Sequence, residues 1–354
     1  MEGHLHVVNT LLENGAHVNH ASSSVTSLLL AAGRGNNEVV KVLIVAGAEV
    51  NHANWVGSTA LLIASENAHA EVIDTLIKAG ANVNHSDSHN ETAIIVAAHV
   101  GSAPVIRLLI AAGANVNHAR NDGFNSLIMA ALEGFTECVS LLVAAGADVN
   151  YRDRIGGSPL MAASQNGHVE IITILLDHGA VVDAANNVDN CTSLLIACQC
   201  QKNAAASLLL SRGANVNHIK TNGWTALLHG VQRGCPALVK MLLDAGADVN
   251  QPNNLGSTPL VCATQQASIN PDVVFLLITA GAKVNHQNNE GISAIMFAAK
   301  AGNTAVVKAL VVAGGDLKLK ANNGATALSV ATTNKKIEVV EAINEIMRTG
   351  TVLP

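Results

Sequence analysis

Residues 59–84 read TALLIASENAHAEVIDTLIKAGANVN. Thr59 precedes the apolar run Leu61-Leu62-Ile63-Ala64. A threonine hydroxyl there can accept a hydrogen bond from an otherwise orphaned backbone N–H, so the segment predicts a short helix capped by Thr59. Beyond Asn67-Ala68-His69, the residues Val72, Ile73, Leu76 and Ile77 recur at helical spacing and predict a second, amphipathic helix. Gly80 ends that helix as a left-handed cap, and the Asp, Ser, His and Asn residues between Asn84 and Thr92 carry turn chemistry. One unit is therefore helix, turn, helix and an extended hairpin-like connection.

The closing block Gly-Ala-x-Val-Asn stands complete at 47–51, 80–84, 113–117, 146–150, 213–217, 246–250 and 281–285. It also opens the chain at 15–19, drifts at 179–183 and 314–318, and repeats every 32 to 35 residues, most often 33. A fixed period of this length means that each unit cannot bury its apolar face alone and stacks on its neighbours. Every full unit carries a capping residue before its first helix: Thr26, Thr59, Thr92, Asn125, Ser158, Thr192, Thr225, Thr258, Ser293 and Thr326. Pro159 and Pro259 follow at the first helical position, where a missing N–H costs nothing.

No linker interrupts the repetition up to about residue 348, so the sequence reads as one elongated all-α domain. Its expected organisation is an incomplete half repeat at 1–19, nine full repeats at 20–318, a C-terminal capping repeat at 319–350 and a tail at 351–354. Val7, Val8, Leu11 and Leu12 form a second helix with no first helix before it, which leaves an apolar face open to water. A terminal repeat normally has a polar outer face, so these residues suggest a piece of a longer array, with a self-sufficient frayed end as the alternative. The last helix, with Glu338, Glu341, Glu345 and Arg348, has the polar character of a cap.

Composition narrows the class. Hydrophobic residues make up 49% of the chain and aromatics only 2%, so the core must be tiled from Ala, Leu, Ile and Val. Charged residues are 13%, the net charge is -6 and no basic stripe exists, which argues against nucleic acid as a partner. No apolar run approaches the roughly 18 residues that a membrane span needs, and the first residues lack the basic and apolar regions of a signal peptide. The six cysteines form no CxxC pair and no framework spacing, as expected in a reducing compartment. A soluble protein of the cytoplasm is expected, with the nucleus as the alternative, either a monomer or a piece of a longer array.

A 33-residue helix-pair unit with Thr-x-Leu opening the first helix, Gly-Ala-x-Val-Asn closing the second and a glycine-containing hairpin resembles the ankyrin repeat. The resemblance covers nearly the whole chain. It implies an ankyrin-repeat solenoid of stacked helix-turn-helix units with β-hairpin-like connections, binding a partner protein or extended peptide on a concave face lined by hairpins and first helices. Fold alone does not choose among activities. Ankyrin units commonly read Thr-Pro-Leu-His, whereas the histidine position here holds Leu62, Ile95, Ile128, Met161, Leu195, Leu228, Val261, Met296 and Ser329. Geometric irregularities are expected where the sixth repeat gains a residue near Asn187 to Asn190 and the eighth gains two near Ala267 to Pro271.

Carried onto this sequence, the partner-binding positions are Trp55, Ile155 and Leu255 at hairpin tips and Trp224 just before a first helix. At the ends of four consecutive first helices stand Gln165, Gln199, Gln232 and Gln265, followed by Asn166, Cys200, Arg233 and Gln266. Such an amide strip offers paired donors and acceptors. It is expected to hold an extended partner segment with Trp224 and Leu255 as apolar anchors, set against the plainer reading of solvating amides and isolated exposed apolar residues. The resemblance also implies a substrate for an asparaginyl hydroxylase at Asn51, Asn150 and Asn250. Each follows an acid two residues before it (Glu49, Asp148, Asp248) and a leucine eight before it (Leu43, Leu142, Leu242). The plainer reading there is an asparagine bonded to the hairpin backbone. A third reading makes the array the recognition part of a larger regulatory enzyme such as a ubiquitin ligase or kinase.

Six histidines share the position after Val-Asn: His20, His52, His85, His118, His218 and His286. Stacked helices lie about 8–10 Å apart while zinc holds each nitrogen at about 2.0–2.1 Å, so the ladder is expected to pack or to bond a neighbouring carbonyl, not to hold a metal. Cys198 occupies a place that Ala98, Ala131 and Ala163 fill in other units, which leaves Cys200 and Cys235 as the thiols with a claim to reactivity. No nucleophile elbow, phosphate-cradling loop or HExxH motif occurs, so no catalysis, cofactor or metal is expected.

Overall fold

A computed structural model describes residues 5–266 and 269–350, and the chain divides into two compact units, 1–181 and 182–354. The first unit opens with α1 (Leu5–Glu13). Helix pairs follow: α2 (Ser27–Gly33) with α3 (Asn37–Val45), α4 (Ala60–Glu66) with α5 (Ala70–Lys78), and α6 (Ala93–His99) with α7 (Ala103–Ala111). The pairs α8 (Ser126–Glu133) with α9 (Thr136–Ala144), and α10 (Pro159–Asn166) with α11 (Val169–Asp177), complete it. The second unit begins with α12 (Ser193–Gln199) and α13 (Asn203–Ser211), then α14 (Ala226–Gln232) and α15 (Pro236–Asp244). It continues with α16 (Pro259–Gln265) and α17 (Pro271–Thr279), α18 (Ala294–Ala301) and α19 (Thr304–Val312), and ends with α20 (Ala327–Thr333) and α21 (Ile337–Thr349). Within each unit first helices pack on first helices and second on second, giving a two-layered helical solenoid. The connections carry only isolated β-bridges among the described residues, such as Ala53 with Thr59.

Local chemistry explains the repetition. Eight of the capping side chains accept the backbone N–H three residues on, at 2.9–3.5 Å. Thr92 and Ser293 hold the same extended conformation without that bond, because the amides of Ile95 and Met296 turn to the capping residues' own carbonyls at 3.0 and 3.1 Å. At the other end, Gly80 takes φ +86°, which lets the Ala81 amide reach back to the Leu76 carbonyl at 3.0 Å. A left-handed residue at that point satisfies carbonyls that the helix end would leave orphaned. The expected extra residue near Asn187 to Asn190 is visible in the bridging: Ala185 pairs with Thr192, one residue wider than Ala53 with Thr59. Ala267 and Ser268, part of the other expected irregularity, lie outside the described residues.

One column of leucines shows how stacking makes the core. Leu76, Leu109, Leu142 and Leu175 in the first unit and Leu209, Leu242, Leu277 and Leu310 in the second share one register of the second helices and are wholly buried. Leu11 occupies the same register on α1 and is 56% exposed, and α1 has no buried residue at all. A groove of about 1000 Å³ runs beside it, walled by Val8, Leu12, Leu30 and Val39. At the other end of the chain Glu338, Glu341, Glu345 and Arg348 all face solvent from α21.

The recurring asparagine ties each repeat to the next. Asn84 donates from Nδ2 to the Gly113 carbonyl at 3.1 Å and accepts the Asn115 amide at 2.7 Å. Asn19, Asn51, Asn117, Asn150, Asn217, Asn250 and Asn285 make the same pair of bonds. The partner is thus the backbone of the glycine turn that leads into the following connection. Asn84→Ala is expected to lower the urea midpoint, with a loss of about 1–2 kcal/mol for two ordinary hydrogen bonds. Asn84→Asp, which keeps the acceptor, should cost less, since Asp183 natively accepts the Asn215 amide at 2.9 Å. Equal losses in the two variants would contradict this assignment.

Candidate functional site

The expected contact residues fall on both units. In the first, Trp55 and Ile155 stand at hairpin tips, 80% and 56% exposed, and Gln165 is exposed near the end of α10. In the second, Gln199, Gln232 and Gln265 are the exposed last residues of α12, α14 and α16, which pack side by side, so three of the four amides form a row within one unit. Among the described residues none of these three side chains is hydrogen-bonded. Arg233 is exposed beside the row, whereas Gln266 is half-buried and donates to the Cys262 carbonyl at 3.3 Å. Leu255 is 68% exposed at its hairpin tip.

The hairpins of the second unit are stitched to one another along their tips. Asn254 donates its backbone amide to the Asn222 carbonyl at 3.2 Å and its side chain to the Thr221 carbonyl at 2.9 Å. Asn289 repeats this with Leu255 and Asn254, both at 3.1 Å, and Asn322 with Glu290 and Asn289 at 3.0 and 2.9 Å. Glycine is needed at the turn for two reasons: Gly223 has φ +80°, and a Cβ there would lie 2.5 Å from the Asn254 amide nitrogen. Asn90 and Asn190 take the left-handed role in other hairpins at φ +61° and +60°.

Trp224 is half-buried, its ring 5.0 Å from that of His229 and tilted by 40°. His229 is 6% exposed, and its Nε2 has no hydrogen-bond partner among the described residues. Burial, reinforced by the charges of Lys220 and Arg233 against the opposing pull of Asp189, lowers its pKa to about 4. The Lys220 side chain is 9% exposed and pairs with Asp189 at 2.6 Å. Burial pushes the Asp189 carboxyl up, but the Lys220 hydrogen bond and charge prevail and hold it below its ordinary value. Sequence reasoning missed this cluster. The available signal was register: His229 stands where the nine other first helices carry only apolar residues, from Leu30, Ile63 and Val96 to Ala162, Cys262 and Val330.

The remaining sequence candidates find ordinary places. His52, His85, His118, His218 and His286 each bond through Nε2 to a carbonyl of the preceding repeat at 2.8–3.2 Å. Among the described residues no cluster of three or more His, Cys, Asp or Glu side chains is arranged to hold a metal ion. Cys198 is wholly buried and its thiol is pushed up to about 12 by that burial, which suppresses the nucleophilic thiolate. Cys200 and Cys235 are half-buried, and Cys235 accepts a weak bond from Asn203 at 3.7 Å. Asn51, Asn150 and Asn250 sit in the inter-repeat clamp with both side-chain atoms engaged, in the same way as asparagines that follow no acid. No helix among the described residues is long and apolar enough to cross a membrane.

Stacked helix pairs, glycine turns and tip-to-tip hairpins at this period define a repeat protein of the ankyrin class. A family model describing three copies of the ankyrin repeat matches residues 1–87, 79–153, 151–220, 208–288 and 266–346, and the chain belongs to the ankyrin-repeat family. Ankyrin repeats are generally protein–protein interaction modules and typically non-catalytic. No curated protein sequence matches the chain.

Proposed function

We propose that the chain is a protein-binding scaffold whose second unit holds an extended segment of a partner protein against its hairpins and first helices. The observation that carries this reading is the row Gln199, Gln232 and Gln265: three exposed primary amides, one per repeat, with no partner among the described residues. Each amide can both donate to and accept from a peptide backbone. Trp224, just before the start of α14, and Leu255 at the hairpin tip supply apolar anchors of the kind that dominate binding energy. The stitched tips support this role, because a preorganised edge loses less entropy on binding. Trp55 and Ile155 are the corresponding exposed apolar positions of the first unit.

The test is selection of displayed peptides on the full chain, followed by affinity measurement with variants. Joint replacement of Gln199, Gln232 and Gln265 by Ala is expected to weaken the selected peptides at least tenfold, and Trp224→Ala to do so on its own. Unchanged affinities in both variants, with the fold intact by circular dichroism, would sink the proposal.

A further inference from the structure

In four repeats the residue just before the second helix covers the left-handed glycine of the preceding repeat. His69 lies over Gly35, Phe135 over Gly101, His168 over Gly134 and Lys336 over Gly302, each so close that a methyl on the glycine would collide with it. Asn270 holds this place over Gly234, but the nearest atom to such a methyl is its Cβ at 3.9 Å. The missing bulk leaves a cavity of about 210 Å³ within the second unit. Val231 and Val273 contribute its apolar wall, and Gln232, Arg233, Gln266 and Asn270 its polar one.

The polar groups do not balance. Arg233 makes no ion pair among the described residues, and no carboxylate lines the cavity. Asn270 uses one N–H on the Gly234 carbonyl and its Oδ1 on the Asp272 amide, both at 3.0 Å. Gln266 donates to Cys262 but retains its second N–H, and Gln232 has both of its own. A guanidinium with amide donors beside it suits a planar anion, because carboxylate accepts two parallel N–H bonds and charge-assisted bonds are about twice as strong as neutral ones. The volume admits a carboxylate on a short stem. Gln232 and Arg233 continue the row proposed above as the peptide track, and both are exposed at the cavity mouth.

We infer that this cavity receives a carboxylate of the bound partner segment; the inference rests on the second unit being the peptide-binding face. The carboxylate could be an acidic side chain or a chain terminus, and three probes separate them. Acetyl-Ala-Ala-Glu-Ala-Ala-amide, its Gln counterpart, and acetyl-penta-alanine with a free terminus would be titrated onto the isotopically labelled full chain, following the Arg233 Nε–H and the Gln232 and Gln266 side-chain amides by NMR. Saturable shifts are expected from a carboxylate probe at least tenfold below the concentration at which the Gln peptide acts, and whichever acid binds tighter identifies the source. Arg233→Gln, at an exposed position that should leave the fold intact, is expected to abolish the shifts. Asn270→His should do the same by filling the cavity as His69 and His168 fill theirs. No saturable shift from either acid, equal shifts from the neutral peptide, or undiminished binding in Arg233→Gln would overturn the inference. Selected peptides that lose affinity with Trp224→Ala but not with Arg233→Gln would remove this site and leave the proposed function standing.

Discussion

Urea unfolding at pH 4.5 is expected to find the second unit weakened by about 2–3 kcal/mol relative to pH 7 through His229 alone, at about 1.4 kcal/mol per pKa unit. His229→Ile is expected to remove that share. The imidazole titrates near 6.5 in an unfolded chain and at about 4 in the folded one. Above pH 6.5 it is neutral in both states and contributes no pH dependence. As the pH falls from 6.5 toward 4 the unfolded chain takes up the proton first, so stability is lost across that window and levels off below it. Burial is the main cause, and the cations Lys220 and Arg233 outweigh Asp189. Isoleucine suits the site because Ile63 and Ile196 hold the same register. Trp224 fluorescence in a Trp55→Phe background reports the second unit separately. If the shift in midpoint between the two pH values is the same in His229→Ile as in the parent, the histidine is not the titrating group.

Leu109→Ala should destabilise the first unit by about 3 kcal/mol, the usual cost of a leucine-sized cavity that the surroundings fill only in part. Leu11→Ala removes the same atoms at the same register and should cost less than about 0.5 kcal/mol, as exposed substitutions do. The difference follows from stacking, since Leu109 is wholly buried and Leu11 is 56% exposed. Thermal or urea unfolding of the full chain, read through Trp55, compares the two. Equal losses would mean that α1 is packed in solution in a way its exposure contradicts.

What the sequence revealed and concealed divides along the distance over which the chemistry acts. Thr59 and Gly80 announce a helix start and stop through bonds spanning three to five residues, so both ends were legible from neighbouring positions. The inserted residue at Asn187 to Asn190 was legible because the period itself counts residues. The sequence showed that this asparagine bonds backbone but not which, because Asn84 bonds a carbonyl 29 residues away, and that partner becomes adjacent only when repeats stack. Thr92 and Ser293 look like any other cap in sequence, but the amides of Ile95 and Met296 bond the capping residues' own carbonyls. His229 and Asn270 were concealed for a related reason. Each is an ordinary residue whose effect depends on what the same register holds elsewhere: apolar side chains in one column, bulky ones over glycine in the other.

The asparagine clamp also bears on how such a chain can change length. Every bond it makes to the next repeat ends on backbone atoms, a glycine carbonyl and an amide two residues beyond, so it recognises position and not side-chain identity. Excision of residues 85–117 would join Asn84 to His118 and bring Asn84 opposite the Gly146 carbonyl and the Asp148 amide, the atoms that Asn117 now engages. His118 would then meet the Gly57 carbonyl that His85 now holds. Loss or duplication of a whole period by recombination therefore leaves the clamp at the junction chemically unchanged, and the length of the array can be altered without inventing a new interface.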